Sequence, residues 1–225
     1  MHIGLIGGIG PAATEFYYRG LVRTHAAADR AMELTIVHAD MKPMVRNMTE
    51  NRPDRQAEAF LPLVERLKAA GADVAAVTSM TGHFCIKQLA AISPLPLANA
   101  LPEIDAAIAG RGCKTVGLLG TRMVMGSRLY GEIPSAGIVV PEGDLYDQTH
   151  DNYMALATSG TVTEAQRDFF FSVGRDLCEK QGAEAVLVGG TDLFLAFDGY
   201  DPGFPLIDCA EVHIDALYRL SVGGA

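Results

Sequence analysis

Tryptophan is absent from the 225 residues, and basic side chains are scarce: 18 Lys and Arg against 27 Asp and Glu, a formal net charge of −9. That balance argues against nucleic acid or an anionic membrane surface as a partner, because both select a basic face. It leaves room for a small anion, whose pocket needs only one or two local cations. No apolar run approaches the roughly 20 residues of a membrane-spanning helix. The opening Met1–Gly8 is broken by glycines and has no basic flank, so it does not read as a secretory signal. Cysteine is sparse as well. Cys85, Cys113, Cys178 and Cys209 stand far apart with no C-x-x-C pair, which points to free thiols in a reducing, cytoplasmic setting. The sequence also lacks the G-x-S-x-G of an α/β-hydrolase and any His/Cys/Asp/Glu spacing suited to a metal; no cofactor is expected.

What is present suits a globular α/β protein. Short β-rich runs (His2–Gly7, Glu33–His38, Val74–Thr78, Thr115–Leu119, Gly137–Val140, Ala185–Val188, Leu206–Ile207) alternate with helical patterns. The clearest helices are Ala12–Ala28, Gln56–Ala70, Pro102–Ile108, closed by Gly110, and Glu164–Lys180, closed by Gly182. This alternation signals βαβ units with parallel sheets. Ile3-Gly4-Leu5-Ile6-Gly7-Gly8 is echoed by Val116-Gly117-Leu118-Leu119-Gly120-Thr121, and Val77-Thr78-Ser79-Met80-Thr81 by Val188-Gly189-Gly190-Thr191. The pattern reads as a duplicated unit: two similar Rossmann-like subdomains, residues 1–96 plus 205–225 and residues 97–204. Ligands of open α/β sheets bind beyond the carboxyl ends of the strands, so the expected site is a cleft between facing halves.

Gly8-Ile9-Gly10-Pro11-Ala12-Ala13 fits G-x-G-x-x-A between a strand and a helix. A dinucleotide phosphate is one reading, but Pro11 removes a donor and Asp40 falls about ten residues too late for the ribose. The others are a tight turn packing strand on helix, and a carboxylate held by the loop N–H groups and Thr14.

Five blocks, in order, resemble the aspartate/glutamate racemase superfamily: IGLIGGIGPAAT (3–14), AGADVAAVTSMTGH (70–83), VGLLGTRMVMGSRLY (116–130), GAEAVLVGGTDL (182–193) and PLIDCAEVH (205–213). The resemblance implies two α/β subdomains about a pseudo-twofold axis and a homodimer. It also implies cofactor-independent inversion at the carbon beside the carboxylate of a small acid. Such inversion uses two opposed groups, one removing the Cα proton and one donating to the other face; thiols suit the task because they titrate near neutrality. By the same resemblance the two thiol positions are Ser79 and Gly190, Met80 takes the place of an Asn, and Thr81, Thr121 and Thr191 fall on substrate-binding hydroxyls. Arg46 aligns with the arginine that holds a distal carboxylate, with Lys42 and Arg55 as possible replacements.

The thiols' stand-ins are sought among neighbours. His83 would deprotonate or orient Ser79, or merely cap the next helix. Asp192 would serve as a base, or as a helix cap. Cys209 and Cys85 read first as inert core, as His213 and Phe169-Phe170-Phe171 read as packing. Three functions stay open: a racemase or epimerase with a non-cysteine acid/base set, one-sided chemistry such as decarboxylation, elimination or isomerisation, and a silent carboxylate binder.

Overall fold

The computed structural model describes residues 1–223. The chain divides into two compact units, one of Met1–Ala100 with the segment from His213 onward, the other of Leu101–Val212.

In the first unit, β1 (Ile3–Gly7) is the central strand, flanked in parallel by β2 (Leu34–His38) and β3 (Val74–Val77), in the order β2-β1-β3. Every residue of β1 and β3 is buried, as an unbroken apolar run requires in a sheet covered on both faces. Strand β2 is an edge and is half-exposed. Helix α1 (Pro11–Ala27) starts with Pro11 after Gly10, where a missing N–H costs nothing. Helix α2 (Met41–Thr49) is capped by the Asp40 carboxylate, and α3 (Pro53–Ala69) covers β1. The chain continues through a short 3₁₀ turn, Thr81–Cys85, and α4 (Ile86–Ile92).

The second unit repeats the plan. Strand β4 (Thr115–Leu119) is central, with β5 (Gly137–Val139) and β6 (Ala185–Val188) beside it; β7 (Leu206–Asp208) extends the parallel sheet to β5-β4-β6-β7. Its helices are α5 (Ala100–Arg111), which begins one residue before the unit, α6 (Arg122–Gly126), α7 (Asp144–Ser159), α8 (Glu164–Gln181) and α9 (Phe194–Phe197). Helix α10 (Cys209–Gly223) ends the described chain. Packing shows the duplication as clearly as topology. A Cβ on Gly4 would lie 2.9 Å from Leu67 of α3 and 3.1 Å from Ala72; one on Gly117 would lie 2.9 Å from Leu177 of α8 and 3.4 Å from Ala183. In each unit a glycine of the central strand lets a leucine of the covering helix close onto the sheet.

Three expectations are corrected. The segment from 205 does not pass at once to the first unit: Leu206–Asp208 pairs with β6, which satisfies that strand's open edge, and the change of unit falls at His213. Helix α5 runs through Gly110 to Arg111, and Gly112 (φ 72) takes the left-handed position. Helices α2, α6, α7 and α9 add to the elements that the sequence pattern marks. Helix α7 is almost wholly polar on its exposed side and buries only Thr149, Tyr153 and Leu156, too thin a stripe to show in the sequence.

Candidate functional site

In each unit the candidates lie past the carboxyl ends of the strands, at β1 and β3 in the first and at β4 and β6 in the second. In the first unit, Gly8 has φ 86, and a Cβ there would meet the His38 ring at 2.4 Å, so only glycine fits. The Gly8 N–H donates to Thr14 Oγ1 (2.9 Å), and Thr14 Oγ1 donates to the Gly10 carbonyl (3.0 Å). The loop is a turn tied by its own threonine, and the hydroxyl hydrogen of Thr14 is used within it.

Beside it, Thr78 and Ser79 are buried at the end of β3. Ser79 Oγ accepts the Gly82 N–H at 3.2 Å, which leaves its hydrogen to donate. His83 does not reach that hydroxyl. Its Nδ1–H donates to the Ser79 carbonyl (2.7 Å), and its Nε2 accepts the Ala100 N–H (3.3 Å). A second buried histidine, His213, donates from Nε2 to the Ala98 carbonyl (3.1 Å) and accepts the Tyr17 hydroxyl at Nδ1 (2.9 Å). The two rings meet edge-on at 5.8 Å. Burial holds His83 down at about 4 and His213 at about 3, so both are neutral. They clamp the Ser79 strand end to the 98–100 segment and to α10. Met80 is fully buried and Thr81 is buried beside it, while Arg46, Lys42 and Arg55 are exposed on α2 and α3. Cys85 donates to the Gly82 carbonyl, and burial pushes its thiol up to about 12.

In the second unit, Thr121, Gly190, Thr191 and Asp192 gather at the ends of the adjacent strands β4 and β6. Thr121 caps α6, accepting the Val124 N–H at 3.3 Å. Gly190 has an ordinary extended backbone (φ −108, ψ 119). What excludes a side chain there is space, since a Cβ would lie 2.3 Å from Cε2 of Tyr153. Tyr153 comes from α7, is buried, and donates its hydroxyl to Asp192 Oδ2 at 3.1 Å. Burial first, and the Asp192 charge next, hold that phenol far above its usual value, so it stays protonated.

Thr191 is 1% exposed, and its Oγ1 is the one buried side-chain oxygen or nitrogen among the described residues with no hydrogen-bond partner. Cys209 opens α10 as a buried thiol driven well upward by burial and by the neighbouring Asp208. Asp208 itself is raised to about 7 by burial, against the stabilising N–H groups of Ala210 (2.7 Å) and Glu211 (3.3 Å). No group of three or more His, Cys, Asp or Glu among the described residues is arranged to hold a metal ion.

Sequence reading singled out neither Tyr153 nor Asp208. Asp208 stood inside PLIDC and was open to notice as the last residue of a strand; nothing local marks Tyr153.

Solved structures share this fold. An aspartate racemase homologue from Pyrococcus horikoshii OT3 aligns over 98% of both chains at 24% identity, with a TM-score of 0.77. Picrophilus torridus aspartate racemase aligns over 99% of this chain and 95% of its own, at 19% identity and TM-score 0.78. Glutamate racemase from Francisella tularensis subsp. tularensis SCHU S4, solved with D-glutamate, aligns over 97% and 80%, at 12% identity and TM-score 0.67. The family model for Asp/Glu/Hydantoin racemase matches residues 6–217, nearly the whole chain, and the protein belongs to that family.

Proposed function

We propose that the protein is a cofactor-independent enzyme of the racemase type, acting at the carbon next to a carboxylate of a small amino or dicarboxylic acid through a non-cysteine acid/base set. The observation that carries this reading is the Thr191 hydroxyl, buried and without a partner beside Asp192. Burying a hydroxyl unpaired costs about 1–3 kcal/mol, and a ligand carboxylate that accepts its hydrogen recovers that cost. Removing a Cα proton moves charge onto that same carboxylate, where preorganised donors count most.

In this reading Thr191 and Thr121, at the β6 and β4 strand ends, hold the substrate carboxylate beside Gly190, and Thr81 is the matching hydroxyl of the first unit. Ser79 is a proton-transfer group, its oxygen steadied by the Gly82 N–H, and Asp192 is the carboxylate base. His83 positions the Ser79 backbone and does not take the proton, since both ring nitrogens are engaged. Gly8 and Thr14 shape the neighbouring turn, and Arg46 on α2 serves a second carboxylate. A cytoplasmic homodimer accords with the thiol usage and with the family.

A second reading, one-sided chemistry on a related carboxylate, is favoured by one observation: the Tyr153 ring leaves no room for a side chain at 190, whereas decarboxylation or elimination needs no opposed pair of groups.

The test is incubation in D2O with a panel of amino and dicarboxylic acids, following Cα–H loss by NMR and enantiomers by chiral chromatography. Exchange with inversion supports racemisation; exchange with retention, or a new product, supports the second reading. Thr191→Val is expected to leave the fold intact, or stabilise it by about 1 kcal/mol, while weakening substrate binding; Ser79→Ala is expected to abolish inversion, with any exchange that remains proceeding through Asp192 alone. Full turnover in Ser79→Ala removes that residue from the mechanism. Silence of the wild-type protein across the panel sinks the enzymatic reading.

A further inference from the structure

We propose that Tyr153 is the positioning residue of the β6 strand end, taking the volume that a side chain at 190 would occupy and fixing Asp192 as the proton-transfer group there. This deepens the function proposed above and rests on it. Three observations meet at this point. Gly190 has a backbone that any residue could adopt, and the nearest obstacle to a side chain is the Tyr153 ring, with Cε2, Cδ2 and Cζ at 2.3, 2.9 and 3.0 Å from the position of a Cβ. The Tyr153 hydroxyl donates to Asp192 Oδ2, and both residues are buried. Thr191, between Gly190 and Asp192, offers a hydroxyl with no protein partner.

The physics favours this pairing. A carboxylate out of water needs fixed donors, and a tyrosine supplies one from a rigid ring with only two rotatable side-chain angles. The phenol keeps its proton, so the carboxylate accepts the hydrogen bond and remains the basic member of the pair. The titratable groups facing Asp192 include Tyr153 from α7 and Cys209 from α10, with Asp208 next to Cys209. Cys209 stays a neutral thiol, because burial and the two carboxylates oppose its ionisation. In the step itself the substrate Cα–H bond breaks, the proton goes to an Asp192 oxygen, and the electron pair passes into the substrate carboxylate as an enediolate. The reverse step returns a proton to carbon.

The experiment is Tyr153→Phe in the full chain, read two ways. In D2O exchange with a substrate found by the panel above, kcat is expected to fall about 10- to 100-fold, the size of a hydrogen bond to a charged group. KM stays within about twofold, and the acidic limb of the pH profile moves up by about one unit as the carboxylate loses its donor. Independently of any substrate, carbon-13 NMR of aspartate carboxyls, with the Asp192 signal assigned through Asp192→Asn, should show that signal titrating higher in Tyr153→Phe.

An unchanged Asp192 titration, or an unchanged kcat and pH profile with only a lower melting temperature, overturns the proposal and makes Tyr153 a core residue. If Tyr153→Phe does not fold, Asp192→Asn decides: it keeps the ring in place, and turnover equal to wild type overturns the proposal. No exchange by the wild-type protein overturns the enzymatic reading and the catalytic half of this one, while the carboxyl titration still judges the Tyr153–Asp192 link.

Discussion

Gly190→Ala is the sharpest perturbation the structure offers. The added methyl group would lie 2.3 Å from Cε2 of Tyr153, a distance no pair of carbons sustains, so the ring must shift by more than an ångström to reach normal contact of about 3.5–4 Å. Tyr153 is buried in a cluster with Leu119, Leu156, Phe170 and Leu193, where there is little slack. Overpacking of this kind costs about 1–3 kcal/mol. A displaced ring also draws its hydroxyl off Asp192, a loss of about 1.5–3 kcal/mol for a hydrogen bond to a charged group. The combined effect is about 3–5 kcal/mol, which for a chain of this length lowers the melting temperature by about 10 °C. Urea unfolding of Gly190→Ala measures it. Backbone strain makes no contribution, because φ −108 and ψ 119 suit alanine. The double variant with Tyr153→Ala should therefore show strong favourable coupling, the new methyl entering space the ring has left. A stability within about 0.5 kcal/mol of wild type for Gly190→Ala would refute the reasoning, since surface-like tolerance has that size. The same clash means that Gly190→Cys alone does not install a working thiol; it has to be paired with a smaller residue at 153.

Two further outcomes follow from burial. His83 and His213 sit at about 4 and about 3 in the folded chain against an ordinary 6.5. Below pH 6.5 the unfolded chain therefore takes up protons that the folded one refuses, and stability falls as pH drops toward 4, by about 3 kcal/mol per ring. Asp208, raised to about 7 from 3.8, acts in the opposite sense over the same range. The histidine contribution is thus read as the difference between wild type and His83→Gln in urea midpoints from pH 7 to 4; parallel curves would contradict it. For the cysteines, half-buried Cys113 and Cys178 should be alkylated in the native protein, while Cys85 and Cys209, buried with thiols pushed upward, should react only after unfolding. Peptide mass spectrometry reads this directly, and native labelling of Cys85 at the rate of Cys113 would count against the burial of Cys85.

Much of the fold was legible because its signals are local. The central strands are unbroken apolar runs, α8 carries a Thr163–Gln166 capping box and ends on Gly182 at φ 72, and the paired glycines 4 and 117 announced the duplication before their shared packing role was visible. Where a second element decides the outcome, local reading failed. Strand β7 is three residues long, and its sheet is set by the open edge of β6. His83, four residues after Ser79 in sequence, reads either as its base or orienting group or as a helix cap, and its two nitrogens are taken by the Ser79 carbonyl and the Ala100 N–H. The Gly8 loop, open to three readings from its sequence, forms a turn that Thr14 closes from four residues beyond Gly10.

The sequence by itself determined that this is a two-unit α/β chain of the racemase type, with hydroxyls at its strand ends, serine at 79 and no side chain at 190. Those facts are carried by residue identity and by short-range pattern. Only the tertiary structure decided what stands in the empty space at 190 and which hydroxyl lacks a partner. Tyr153 reaches Gly190 and Asp192 from a distant polar helix, and the buried Thr191 hydroxyl is left without a hydrogen-bond partner by the packing around it. Such relations are set by how distant segments fill one volume, which no stretch of chain encodes alone.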